Sequence, residues 1–226
     1  MITSMVENYI MQNISSQISY WDRVANEKRF SHPLRVDWLR RYLKNPQPRV
    51  LDYGCGYGRT LADLSIAGFR NLYGTDFSEA MLARARVEVP GPALIRNDGR
   101  HLPFKSESFD AALLFAVLTC MPVDHEQRLL LSEIKRVLRP GGLLYLSDLL
   151  VNDDARNRER YERDAVRYKR YGVFELPEGV VVRHHTNEWI EEITSPFKRL
   201  EYESFDATTM NGNLSAAFQY LGCKPA

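Results

Sequence analysis

The chain has 226 residues, enough for one substantial domain and short for two. With Lys+Arg 30 against Asp+Glu 29 the formal charge is +1, without the basic excess usual in a dedicated nucleic-acid binder. Three scattered cysteines (Cys55, Cys120, Cys223) form neither a disulfide framework nor a zinc site, and no apolar run approaches the roughly 18 residues that span a bilayer. The N-terminus lacks the basic start and apolar stretch of a signal peptide. The expectation is a cytoplasmic protein, monomer or homodimer, with no nucleic-acid or membrane partner.

Ile2, Met5, Val6, Tyr9 and Ile10 recur at helical spacing, and a second helix is expected from Tyr20 to Phe30. A third, carrying Leu34, Trp38, Leu39, Tyr42 and Leu43, ends at the Asn45-Pro46-Gln47-Pro48 break. Strand and helix signals then alternate. Strands are predicted over Arg49–Tyr53, Asn71–Thr75, Ala93–Asn97, Phe109–Ala116 and Leu143–Leu150. Helices are predicted over Thr60–Ala67, from an N-cap at Ser78 to Glu88, and over Asp124–Leu138, the last followed by a Pro140-Gly141-Gly142 turn. This alternation implies right-handed crossovers and a parallel sheet, hence an α/β fold. In the last third we expect a charged helix over Asp153–Tyr171, a hairpin around Pro177-Glu178-Gly179, a helix over Thr186–Ile193 and closing strands over Lys198–Phe205 and Ala216–Leu221. The whole chain reads as one domain: a helical cap (1–45), a core (46–150), then a substrate-side insertion with the closing strands (151–226).

Three features carry chemistry. The first is Asp52-Tyr53-Gly54-Cys55-Gly56-Tyr57-Gly58, between a strand and a helix, where glycines let the backbone approach a ligand. A dinucleotide fingerprint would place a glycine where Arg59 stands, and Asp52 adds negative charge unsuited to a diphosphate. The second is Asp76, 22 residues after Gly54 at the end of the second strand, where an acidic residue typically accepts ribose hydroxyls; a turn or N-cap aspartate is the competing reading. The third is Asn97-Asp98-Gly99-Arg100, just past the third strand, where an aspartate can accept from an exocyclic amine. Acidic residues at three successive strand ends converge on the crevice where open α/β sheets bind ligands.

In order and spacing, VLDYGCGYG, LYGTDFSEAMLARAR, NDGRHLPFKSESFDAALLFAVL and EIKRVLRPGGLLYLSD resemble the class I S-adenosylmethionine-dependent methyltransferases, over Val50 to Leu150. The likeness is greatest to the small-molecule, ubiquinone-biosynthesis-type branch. The resemblance implies a Rossmann-like, seven-stranded, mostly parallel sheet with an antiparallel last strand, helices on both faces and an N-terminal helical cap. The implied cofactor is S-adenosyl-L-methionine, released as S-adenosyl-L-homocysteine. Asp52, Gly54, Cys55, Gly56 and Gly58 would hold its methionine part and Asp76 its ribose. Phe77 and Met81 would flank the adenine, Asn97, Asp98, Gly99 and Arg100 would read its edge, and Phe115 and Ala116 would line the pocket near the sulfur. Tyr20 and Trp21 are candidate lid residues, with packing in a helix–sheet groove as the competing reading.

Transfer from an activated donor needs mainly alignment and water exclusion, with a base only where the acceptor must lose a proton. His125, Asp148, His184 and His185 are the candidates, each with a loop or capping role as the alternative. No Asn-Pro-Pro-Tyr-type motif stands at Leu114-Phe115-Ala116-Val117, no Pro-Cys pair marks a cytosine nucleophile, and no carboxylate set forms a metal site. A small-molecule acceptor presenting O, N, S or activated carbon remains. Two alternatives stay open: a cofactor-binding protein that no longer methylates, and an RNA methyltransferase using Arg156, Arg158, Arg160, Arg163, Arg167, Lys169 and Arg170. Acids interleaved with those bases predict instead a solvated helix laced with i,i+4 pairs.

Overall fold

A computed structural model describes residues 16–29, 31–98 and 101–226. The helix expected over Ile2–Ile10 lies outside them. A helix over residues 16–24 (α1) and α2 (Val36–Tyr42) precede β1 (Arg49–Tyr53), α3 (Arg59–Ile66), β2 (Asn71–Asp76), α4 (Glu79–Glu88), β3 (Ala93–Arg96) and β4 (Phe109–Phe115). Then come α5 (Asp124–Val137), β5 (Leu138–Leu149), α6 (Ala155–Tyr168), β6 (Val173–Glu175), β7 (Val181–Arg183), α7 (Asn187–Thr194), β8 (Lys198–Thr208) and β9 (Leu214–Cys223). The main sheet has seven strands in the order β3-β2-β1-β4-β5-β9-β8. β1 to β5 pair in parallel, and β9 runs antiparallel to both β5 and β8. The parallel strands follow the alternating pattern, and the whole is the Rossmann-like arrangement that the resemblance implies.

The central strands are apolar on both faces because each face is covered by helices. Successive side chains point to opposite faces, so neighbouring residues enter different cores. Leu51, Ala112, Leu114, Leu144 and Leu146 pack with Leu130 and Ile134 of α5 and with Trp189 and Ile190 of α7. Val50, Ala111, Leu113, Leu143 and Tyr145 pack with Trp38 of α2, Leu61 and Leu64 of α3 and Leu82 of α4. Each large side chain so buried stabilises the fold by roughly 1.5–3 kcal/mol. Local caps agree: the Ser78 side chain accepts from Met81 N, the Asp154 side chain from Asn157 N, and that of Thr186 from Trp189 N.

A third cluster lies over the carboxyl ends of the strands, where Tyr20, Trp21 and Val24 of α1 meet Tyr161 of α6, Phe174 of β6 and Val182 of β7. Asp22 accepts from Ser78 Oγ (2.6 Å) and Ala80 N (3.2 Å), and buried Arg84 donates to Ala25 O (2.7 Å), so α1 is moored to α4.

Three expectations need correction. The cap helix is α1 over residues 16–24, ending before the expected 20–30 stretch does. The Pro140-Gly141-Gly142 segment lies inside β5: Leu138 already pairs with Phe109, and the register shifts before Ala111 meets Leu143. The α6 charges do not form i,i+4 pairs among the described residues. Arg167 pairs with Glu175 of β6, Arg163 with the adjacent Asp164, and Arg170 (past the helix) with Asp124 of α5. The partners of Arg167 and Arg170 arrive by tertiary contact, the first because one side of this helix packs on the hairpin.

Candidate functional site

The carboxyl ends of β1, β2 and β4 open onto a cavity of about 490 Å³. The chain leaving β1 turns through Gly54 at φ +68, and Gly54 N and Cys55 N both donate to Thr75 O, at 2.7 and 3.0 Å. A Cβ on Gly54 would sit 2.7 Å from Val117 Cγ2, so the turn admits no side chain. At Gly56, φ +52, a Cβ would meet only Met81 Sδ at 3.9 Å, which leaves that face of the loop open to the cavity. Gly58 caps α3 behind the loop and does not line the cavity. Cys55 fills the space beneath Gly74, and burial pushes its thiol up, as expected of a filler.

Two carboxylates converge here. Asp76 accepts from Gly56 N through Oδ2 and from Ser78 N through Oδ1, both at 2.9 Å. Burial raises it to about 6, with those hydrogen bonds holding it back. Asp52 is pushed further, to about 8, by burial; the Arg59 charge opposes the shift and Asp76 adds to it. Asp52 Oδ2 is buried without a hydrogen-bond partner among the described residues. An orphaned carboxylate oxygen costs free energy unless a donor completes it, so the cavity wall is short of one hydrogen-bond donor.

Phe77, Met81, Asn97, Phe115 and Ala116 line the same cavity, and Asn97 N donates to Asp76 O (3.1 Å). Asp98 is exposed, accepts from His101 N (3.1 Å) and stands outside the lining; Gly99 and Arg100 lie outside the described residues. Trp21 lines the cavity with its indole N–H on Gln17 Oε1 (3.1 Å), whereas Tyr20 stands behind it, edge to face at 5.0 Å.

A second cavity of about 90 Å³ adjoins the first, sharing Trp21, Ala116 and Cys120. Ala116 takes φ +56, uncommon for a residue with a side chain, and its N–H is held by Ser147 O at 2.8 Å. The other walls come from α6, β6, β7, the β8–β9 turn and His32. His32, Thr119, Phe174 and Met210 were not legible as site residues, since no spacing links them. His32 is lowered to about 4 by burial, with Arg59 adding to the shift; its Nδ1 lies 2.9 Å from Ser147 Oγ.

The base candidates separate. His125 is exposed at the rim of the first cavity. His184 lines the second, with Nδ1 2.6 Å from the Tyr161 hydroxyl, and burial takes it well below its ordinary value. The Tyr161 hydroxyl also takes a hydrogen bond from Asn152 N (3.3 Å) and reaches Asn157 Oδ1 (3.4 Å), so His184 is tied to α6 through a polar network. His185 faces neither cavity. Gln127 Nε2 donates to its Nε2 (3.0 Å), its Nδ1–H reaches Leu149 O (3.2 Å), and burial lowers it to about 3. Asp148 also faces neither: it accepts from Thr119 N (3.1 Å) and Leu149 N (2.8 Å), with burial raising it to about 7. His185 and Asp148 are thus joined to the backbone that braces the site. Among the described residues no cluster of His, Cys, Asp and Glu could hold a metal ion, and no helix is long and apolar enough to cross a membrane.

A glycine turn under a ribose-spaced aspartate, at the carboxyl edge of a 3-2-1-4-5 sheet with an antiparallel closing strand, is the arrangement that class I S-adenosylmethionine-dependent methyltransferase domains share. Residues 51–146 match the family described as "Methyltransferase domain". A phthiotriol/phenolphthiotriol dimycocerosates methyltransferase of Mycobacterium ulcerans is 39% identical over 110 residues, covering 45% of this chain and 37% of that protein. An O-methyltransferase of Pyrenophora dematioidea is 29% identical over 146 residues, 60% of this chain and 54% of that one. The chain therefore spans about half or less of the length of these relatives. A SAM-dependent methyltransferase structure from Methanosarcina mazei superposes with a TM-score of 0.78 at 25% identity, covering 86% of this chain and 99% of that one. One from Anabaena variabilis, at 18% identity and a TM-score of 0.65, shares the fold over 93% of this chain and 94% of its own.

Proposed function

We propose that this protein transfers a methyl group from S-adenosyl-L-methionine to a small-molecule acceptor seated in the second cavity. The observation that carries the reading is the common wall of Trp21, Ala116 and Cys120, which puts an enclosed second cavity directly against the Asp52–Asp76 cavity. The name of the Mycobacterium ulcerans relative supports a metabolite rather than a macromolecule as acceptor.

The residues fit the cofactor. The unpartnered Asp52 Oδ2 suits the donor-rich methionine end, and Asp76 suits ribose hydroxyls. Phe77 and Met81 supply apolar surface for the adenine, whose edge falls to Asn97. When bound, the cofactor supplies an activated methyl group whose transfer to an acceptor lone pair leaves S-adenosyl-L-homocysteine. The chain's contribution is to align that acceptor and exclude water, with the α1 cap closing over both cavities. His184 is the candidate that faces the acceptor, and burial keeps it neutral. It acts first as a hydrogen-bonding group that orients the acceptor, and its depressed basicity makes it a poor proton store.

Calorimetry tests the reading: S-adenosylhomocysteine should bind the native protein, and Asp76→Ala should bind it at least about tenfold more weakly, the loss of one charge-assisted pair of contacts. Absence of binding to both cofactor and product would remove it.

A further inference from the structure

We infer that the acceptor carries an anionic oxygen group, carboxylate or phosphate, which Arg160 and Arg156 hold at the α6 side of the second cavity. The inference rests on the proposed methyltransferase reading and names its substrate class. The cavity's floor is apolar, from Phe174, Leu176, Val182 and Met210, yet both arginines of one α6 turn line it and no Asp or Glu does among the described residues. Arg156 reaches only Asp154, at 3.9 Å, and Arg160 is in no ion pair among the described residues. Two guanidinium groups four residues apart repel, and burial beside an apolar wall adds a desolvation penalty at Arg160 that the attraction of Asp154, outside the cavity lining, does not offset, so a further anion is favoured there.

Arg160 is also posed for recognition. Its guanidinium lies over the Phe174 ring, 3.8 Å from the centroid, which uses the flat face and leaves the in-plane N–H groups for an acceptor. One nitrogen donates to Asn157 Oδ1, which fixes the plane, and Nε has no partner among the described residues. His184 and Thr119 line the same space; the Thr119 hydroxyl gives its proton to Arg183 O at 2.8 Å, so the charged donors are those of the two arginines. The wall therefore offers donors and positive charge where an acceptor's oxygens would enter, the pattern that matches bidentate oxyanion binding.

The test is calorimetric, on full-length protein. S-adenosylhomocysteine is titrated first, so that its failure to bind is read separately and removes the methyltransferase reading together with this inference. The loaded protein is then titrated with benzoate, phenyl phosphate and the neutral isostere benzamide. The expected result is at least one anion binding about tenfold more tightly than benzamide, the ratio one charge-assisted hydrogen bond supplies over a neutral one. The tighter anion separates carboxylate from phosphate. Arg160→Gln should erase the preference and Arg156→Gln should reduce it, each with an unchanged melting temperature and unchanged S-adenosylhomocysteine affinity. If Arg160→Gln melts early, Arg160→Lys, which keeps the charge and loses the planar fork, should show a reduced preference. Binding of S-adenosylhomocysteine without anion binding, equal affinity for benzamide, or a preference that survives Arg160→Gln would overturn the proposal.

Discussion

Asp52→Asn should make the ligand-free protein more stable and its cofactor binding worse, and the gain should depend on pH in a defined way. Burial raises the Asp52 carboxyl from 3.8 to about 8. Between these values the unfolded chain is ionised at this group while the folded one keeps its proton. Unfolding then releases a proton, and stability falls as pH rises through the window. Each unit is worth about 1.4 kcal/mol, so the four or so units amount to roughly 6 kcal/mol by pH 8. Asparagine has the same shape and no charge, but it buries an amide donor at a cost of about 1–3 kcal/mol. The net expectation is a gain of about 3–5 kcal/mol at pH 8 and close to none at pH 5, where only about one unit has been crossed. Urea denaturation of both proteins at pH 5, 6.5 and 8 measures it, and taking the difference cancels the contribution of Asp148, which is not coupled to Asp52. A variant no more stable than the parent at pH 8, or a difference that stays flat with pH, would refute the argument. The same substitution should weaken S-adenosylhomocysteine binding, because the stability penalty of Asp52 is the counterpart of its unfilled oxygen.

Other consequences can be measured alongside. Gly54→Ala places a methyl 2.7 Å from Val117 Cγ2 at φ +68, and should cost about 2–3 kcal/mol in thermal or urea denaturation. Gln127, fully buried, donates to Leu118 O, Met121 O and His185 Nε2 and accepts from the Trp189 indole. Gln127→Leu should destabilise by about 2–4 kcal/mol through the polar groups it strands, with a lower Tm as the readout. In an NMR titration His32 should show a midpoint near 4, well below its ordinary 6.5. Because the unfolded state takes up the proton first, His32 contributes stability present above 6.5 that is lost as pH falls towards 4. A midpoint near 6.5 would mean that His32 is not buried as described.

The architecture was legible because its signals are local. Phe109-Asp110-Ala111-Ala112-Leu113-Leu114-Phe115 reads as a two-faced central strand from its own residues, Ser78 as a cap from its neighbours, and the glycine turn from the steric freedom that only glycine has. The convergence of Asp52 and Asp76 follows as well, since parallel strands joined by right-handed crossovers bring their carboxyl ends to one edge. Pairing across elements was not legible. The partners of the α6 arginines lie on β6, on α5 or, for Arg160, on the Phe174 ring, so the interleaved acids of the sequence misled. Adjacent His184 and His185 read as equivalent, yet alternation along an extended segment turns one to the second cavity and the other to Gln127.

The sequence by itself determined the sheet, its open edge and the residues that crowd it, because hydrophobic period, turn chemistry and chain connectivity act over a few residues. Only the tertiary structure decided that α1, α6, the β6–β7 hairpin and the β8–β9 turn would meet against Ala116 to enclose a second cavity. It also decided that this cavity would hold two arginines and no carboxylate. That wall arises from packing between segments up to about 190 residues apart, such as Tyr20 and Met210, and burial then lowers His32 and His184 from their ordinary values.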